Sequence, residues 1–275
     1  MSNFKIGIFN LPEPMSNLEG VRYAHEAGFA AFEPFPQRDL AQPDRETAIR
    51  IRDEANRLGV ALPCLSMLAN LTGEGRFSEI ERLKAYAELA ALMEIPLLHH
   101  TIYPPLKPED VRSADELAEE AASAAREVYD YAQKLGVRCI YEDQGLAFNG
   151  IEGFGKFLET LDRPAGVVLD LGNVAFVGEK PAAFAKKYLD RIVHVHVKDY
   201  LINRDVPAQY LLADGTKIAP TALGKGDMAI AGALEIVMNS GYKGWFMLEN
   251  DRPNGGKAGQ ADDARILETM LERFK

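Results

Sequence analysis

The chain predicts one closed (β/α)8 barrel running over residues 1–275, and three observations carry that expectation. Short apolar or β-branched runs alternate with longer amphipathic stretches from one end to the other, eight of each. Unbroken alternation implies a parallel sheet with right-handed crossovers, and eight units is the number that closes such a sheet on itself. The turn after the first run reads N-L-P-E-P-M, so the glycine-rich phosphate turn that usually announces an open doubly wound sheet is absent. No linker or composition shift divides the chain.

Each unit has its own start and stop signals. The first strand is expected at 5–10, and Ser16 opens a helix to Ala27 that Gly28 closes. A strand at 30–35 precedes a helix at 44–58 ended by Gly59, and one at 60–66 precedes a helix at 78–93. The run 96–101 leads into a charged, alanine-rich helix at 113–135, stopped by Gly136. The second half keeps the rhythm, with strands at 137–142, 166–170, 191–197 and 244–249 and helices at 150–161, 180–189, 229–240 and 261–274.

Composition narrows the function. A net charge of -10 opposes binding to phosphate backbones, since nucleic-acid proteins depend on Lys and Arg to displace counterions. A small-molecule partner is expected instead. The two cysteines, Cys64 and Cys139, lie inside apolar strand-like runs and read as buried thiols. The N-terminus lacks a signal peptide's long apolar region, and no run reaches the roughly 18 apolar residues that span a membrane, so the cytoplasm is the expected location.

Chemistry concentrates around the stretch R-I-V-H-V-H-V-K-D-Y at 191–200. Alternation along a strand puts Val193, Val195 and Val197 on one face and Ile192, His194, His196 and Lys198 on the other. In closed parallel barrels functional groups sit at the C-terminal ends of strands. Four consecutive strands end in a ligand type: the fifth in Glu142-Asp143, the sixth in Asp170 with Asn173 beyond it, the seventh in His196, the eighth in Glu249-Asn250-Asp251. Two glutamates, an aspartate and a neutral imidazole converging on one point would repel one another without a cation. With a divalent ion they form an oxygen-rich site suited to Mn²⁺, Mg²⁺, Co²⁺ or Fe²⁺ more than to a structural zinc.

The order Glu at strand five, D-x-x-N at strand six, H-x-K-D at strand seven, G-x-G-D (Gly224, Lys225, Gly226, Asp227) after the next loop and Glu at strand eight resembles the sugar phosphate isomerase/epimerase family. That family has the xylose-isomerase-like barrel and is related to endonuclease IV. The resemblance covers essentially the whole chain. It implies one divalent ion, Mn²⁺ in the first place with Mg²⁺, Co²⁺, Fe²⁺ or Zn²⁺ as alternatives, held by Glu142, Asp170, His196 and Glu249. It also implies that Glu142 and Glu249 flank the reacting carbons, one removing the proton beside a ketone and the other returning it to an enediolate. His194, two residues deeper, is expected as a hydrogen-bonded neighbour. Pairing of barrels in that family makes a homodimer the expected assembly.

Departures from the family pattern bear on substrate. Where its free-ketose epimerases carry a histidine this chain has Asn173, which donates a hydrogen bond but does not titrate, and where they carry a further glutamate it has Phe148. Substrate contacts are expected from His100, preferred over His99 in L-L-H-H-T, and from Asn173, Lys198, Glu33 and Arg252. Trp245 reads as core. The segments 34–43 and 200–225 are expected as covers that keep water from the enediolate. The resulting reading is a metal-dependent isomerase or epimerase of keto sugars, sugar acids or polyols. Its alternatives are a dehydratase of a dehydroshikimate-like or inosose-like cyclic keto-polyol and a non-catalytic sugar-binding barrel. Endonuclease chemistry would want a basic face and a zinc cluster, which five histidines and an acidic chain do not supply.

Overall fold

A computed structural model describes residues 4–104, 112–249, 252 and 255–274. Asn250 and Asp251, part of the eighth strand-end motif, lie outside the described residues. Eight parallel strands form one sheet: β1 (Ile6–Ile8), β2 (Ala31–Phe32), β3 (Cys64–Met67), β4 (Leu97–His100), β5 (Arg138–Glu142), β6 (Gly166–Asp170), β7 (Ile192–Val197) and, after three short strands described below, β11 (Phe246–Leu248). Their spatial order is β2-β1-β11-β7-β6-β5-β4-β3. The remaining seam is joined where Phe32 N donates to Ala61 O at 2.9 Å and Ala61 N to Ala30 O at 3.0 Å, a parallel bridge that brings β2 against the approach to β3.

Helices α1 (Asn17–Glu26), α2 (Arg45–Leu58), α3 (Arg76–Leu92), α4 (Ala114–Lys134), α5 (Gly150–Leu161), α6 (Pro181–Tyr188), α7 (Ile230–Asn239) and α8 (Gly256–Glu272) follow the barrel strands in turn. Local chemistry sets their ends. Ser16 with Glu19 and Ser113 with Glu116 form reciprocal capping boxes, and Gly59 ends α2 at φ +69°, where a Cβ would be strained. Helix α8 starts five residues ahead of the expected 261, through a Gly-rich entry with no side-chain cap to mark it.

Two apolar layers result. Outside the strands, residues such as Leu98, Tyr141, Leu169 and Val195 pack against the helices. Inside, Cys64, Ile140 and Val168 fill the barrel with Leu97 and Val193, and Phe9, Ala31 and Met247 pack with Phe35 and with Trp245, which is half-buried against this cluster rather than enclosed in it. Space between the layers is tight: a Cβ on Gly20 of α1 would overlap the edge of the Phe32 ring. Gly20→Ala is therefore expected to cost about 1–3 kcal/mol through overpacking, measurable by urea denaturation; a neutral result would mean the α1–β2 contact is looser than described.

The alternation expected of 191–197 fails at its start. The register of β6 against β7 slips between Val167 and Val168, with Val167 opposite Ile192 but Val168 opposite His194. This bulge turns Ile192 into the outer layer and Val193 into the inner one, reversing both assignments. His194 and His196, beyond the bulge, keep the inner face.

The segment 200–225 is more ordered than a loop. Strands β8 (Tyr200–Ile202), β9 (Tyr210–Leu211) and β10 (Lys217–Pro220) form a small antiparallel sheet in the order β8-β10-β9. The H-x-K-D and G-x-G-D motifs meet beside it. Asp199 accepts from the amides of Gly224 (2.9 Å) and Gly226 (3.0 Å), and Asp227 accepts from Ile202 N and Arg204. A Cβ on Gly226 would overlap the Asp199 carboxylate.

Candidate metal centre

The C-terminal ends of β5, β6, β7 and β11 bring Glu142, Asp170, His196 and Glu249 together, each offering one ligand atom within 4.8 Å of the others. The first three are buried and Glu249 is partly so. His196 Nδ1 lies 2.9 Å from both Glu142 Oε1 and Glu249 Oε2. Its ring is held on one face by Phe9, stacked at 5.2 Å, and edge-on by His99 and His194. Sequence parity gave no hint of Phe9, because it sits just past the short β1.

Lys198, expected as a substrate contact, is held among the candidate ligands. It is buried, its Nζ 2.9 Å from Asp170 Oδ2 and 3.3 Å from Glu249 Oε1. Burial would lower both it and His196, but the surrounding carboxylates hold each well above its usual range. Burial lifts the Asp170 carboxyl to about 7, with Lys198 opposing and Glu142 and Glu249 reinforcing. Next to the cluster, Asp143 is fully buried with no hydrogen-bond partner for either carboxylate oxygen among the described residues, and burial with Asp170 and Glu142 pushes it well up. The basin therefore holds more carboxylate than its lysine and histidine balance, the electrostatic signature of a cation site.

Three expected substrate contacts are corrected. His100 points away from the barrel axis: its Nδ1 bonds Thr101 O at 2.9 Å and its ring stands edge-on to Tyr141 at 5.2 Å in the outer layer. Strand parity instead turns its neighbour His99 inward, Nε2 3.9 Å from Glu142 Oε2. Glu33 lies under the site with no exposure, its carboxylate taken up by His194 Nε2 (2.7 Å), His196 Nε2 (3.2 Å) and the Ser66 hydroxyl, so it has no face toward substrate. Arg252 turns to α8, donating to Gly259 O at 2.6 Å and pairing with Asp263 at 3.3 Å.

Asn173 is buried at the entry of a short 3-10 turn, its amide N donating to Asp170 Oδ1 at 2.7 Å and its side-chain nitrogen without a partner among the described residues. Phe148 packs against Tyr103 and Phe157. Glu33, Cys64 and His194 also gather within 4.8 Å, but as the closed floor of the barrel, where burial drives the thiol well above its usual range.

Above the floor opens a cavity of about 130 Å³ lined by Ser66, His99, Glu142, His196 and Glu249, with Phe9, Asn10, Phe35, Thr101 and Gln144 at its walls. Of the two expected covers, 34–43 contributes Phe35 and 200–225 contributes no lining residue.

A closed parallel barrel with carboxylates and an imidazole at its C-terminal end defines a class of small-molecule site, and the sequence settles which family carries it here. The chain belongs to the xylose isomerase-like TIM barrel family, whose pattern matches residues 21–270. Inosose dehydratase 2 of Bacillus cereus is 28% identical over 172 residues, covering 60% of this chain and 54% of that protein, so the chain matches about half the length of this curated relative. Among solved structures, the IOLI protein with a bound zinc atom superposes with a TM-score of 0.78 at 16% identity, covering 99% of both chains. D-psicose 3-epimerase from Clostridium cellulolyticum, solved with D-tagatose, gives 0.71 at 14% identity over 98% of this chain and 96% of that one. At such identities these structures speak for the fold.

Proposed function

We propose that the protein is a divalent-metal-dependent isomerase or epimerase of keto sugars, or of related sugar acids and polyols, working by proton transfer through an enediolate. The observation that carries this reading is the convergence of Glu142, Asp170, His196 and Glu249 within 4.8 Å. Three carboxylates and one imidazole make a donor set that fits a hard or borderline divalent ion. Mn²⁺ is the expected ion, and Mg²⁺, Co²⁺, Fe²⁺ or Zn²⁺ would suit the same set.

Such an ion supplies Lewis-acid stabilisation of the charge that develops on a ketone oxygen as a neighbouring proton leaves. The rest is work for the chain. Glu142 and Glu249 take the acid and base roles, one carboxylate removing the proton beside the ketone and the other delivering a proton to the enediolate. Glu33 holds His196 Nε2 at 3.2 Å, which leaves Nδ1 for the ligand role and fixes the ring. Asn173 and Lys198 are the proposed contacts to substrate oxygens, although neither lines the cavity, and Phe9 and Phe35, which do, limit water. We further propose that the whole chain acts as one domain, as a homodimer in the cytoplasm; no described helix is long and apolar enough to cross a membrane.

The test is incubation with Mn²⁺ in D₂O against a panel of keto sugars. Deuterium entering recovered substrate or its epimer is the expected result, and none in any member of the panel would refute it. Metal binding has its own readout: Mn²⁺ at about 100 times its dissociation constant adds about 2.7 kcal/mol of stability, a rise in Tm of roughly 5–10 °C. An unmoved melting curve favours a metal-free sugar binder.

A second reading is favoured by the names of the curated relatives, inosose dehydratases. Loss of a hydroxyl beside the enediolate would give a dehydratase from the same residues. In the D₂O assay it reveals itself by a new conjugated-enone absorbance from inosose.

A further inference from the structure

The hydrogen-bond chain beneath the cavity has a direction, and that direction fixes what His99 offers above it. The Glu33 carboxylate can only accept, and it accepts from His194, His196 and the Ser66 hydroxyl. Ser66 has one hydroxyl proton, and it is committed to Glu33. Toward His99 Nδ1, 3.0 Å away, Ser66 Oγ is therefore the acceptor, and Nδ1 carries the proton. A neutral imidazole has one N–H, so Nε2 is left bare.

That bare nitrogen is buried, lines the cavity and has no hydrogen-bond partner among the described residues. Glu142 Oε2, 3.9 Å away, is itself an acceptor, so the two cannot satisfy each other. A group that donates is what the space between them lacks.

We propose that His99 binds substrate as the acceptor for one hydroxyl of a keto-polyol, its polarity set by the relay Glu33–Ser66–His99. The proposal rests on the reading of the cavity as a keto-polyol site. It adds a specificity element: substrates must carry a hydroxyl, not merely bulk, at the position facing β4. Ser66 and Glu33 act through His99 and are positioning residues.

Two measurements on the full chain loaded with diamagnetic Mg²⁺ test it. Long-range ¹H–¹⁵N correlation of the imidazoles, assigned by loss of signals in His99→Asn, is expected to show His99 protonated on Nδ1 alone. In Ser66→Ala that tautomer preference is lost. A proton on Nε2, or on both nitrogens, overturns the proposal and leaves the metal reading untouched.

Binding of inosose and of D-tagatose is then measured by calorimetry. His99→Asn keeps an N–H for Ser66 and removes the acceptor at the Nε2 position, which the shorter side chain does not reach; it is expected to weaken whichever sugar binds by about 10- to 100-fold, with Mg²⁺ affinity within about twofold. Unchanged sugar affinity at unchanged Mg²⁺ affinity overturns the proposal. Wild-type protein that binds Mg²⁺ but neither sugar also overturns it, through its substrate class, while failure to bind either Mg²⁺ or Mn²⁺ strikes the parent reading first.

Discussion

Glu249→Gln is expected to lower the rate of deuterium exchange into substrate by about 10²- to 10⁴-fold, the usual worth of a positioned acid or base, while the barrel folds and melts much as before. Glutamine keeps an oxygen beside His196 Nδ1 but cannot carry a proton away, so the chemical step suffers more than the architecture. Glu249 is the better first target because it is the least buried of the four and its loss leaves the floor intact. Burial would raise its carboxyl, but Lys198 and His196 hold it at about 2, so in the wild type it stands ionised. Part of any loss can come from weaker metal binding. Repeating the assay at saturating Mn²⁺, with occupancy read by calorimetry, separates the two. An exchange rate within about twofold of wild type at full occupancy would remove Glu249 from the proton path and with it the two-carboxylate mechanism.

How much of this was legible beforehand depends on the range of the interaction involved. The eight units follow from local periodicity and caps, and the gathering of Glu142, Asp170, His196 and Glu249 follows from barrel topology once those units are counted. What alternation could not supply is where it is interrupted. The bulge at Val193 is imposed by pairing of β7 with β6, and nothing in I-V-H-V-H-V marks it. The choice between His99 and His100 turned on the phase of a four-residue strand; Ser66 opposite His99, and a register shared with Cys64 and Leu97, would have been the signal.

Glu33 and Arg252 show a different limit. Both were expected to face substrate at the strand ends, and both are bound elsewhere, Glu33 by the distant His194 and His196 and Arg252 by Gly259 and Asp263 of the helix that follows. A side chain's position at the barrel mouth is readable from sequence; what it touches across the barrel is not. The strands β8 to β10 were missed because their pairing is antiparallel and local to an insertion, outside the βα rhythm.

Glu33 therefore carries the largest expected loss of stability. Burial alone would raise its carboxyl, yet His194 and His196 outweigh burial and hold it well below the usual range. Glu33→Gln removes the charge and turns one of the two acceptor oxygens that serve His194, His196 and Ser66 into a donor, and removing one member of a buried charged pair costs about 3–5 kcal/mol, or roughly 6–20 °C in Tm. The sign of its pH dependence follows from the lowered pKa. Glu33 contributes fully above its unfolded value near 4.5 and loses that contribution as pH falls toward the folded value. The stability gap between wild type and Glu33→Gln should then be widest near neutrality and narrow below about pH 4, as urea denaturation across that range would record. Because Glu33 also fixes which nitrogen of His196 faces the cluster, the variant should bind Mn²⁺ about 10- to 100-fold more weakly. A destabilised variant with unaltered Mn²⁺ affinity would make Glu33 a purely structural carboxylate, and the orientation of His196 would then be set by Phe9 stacking alone.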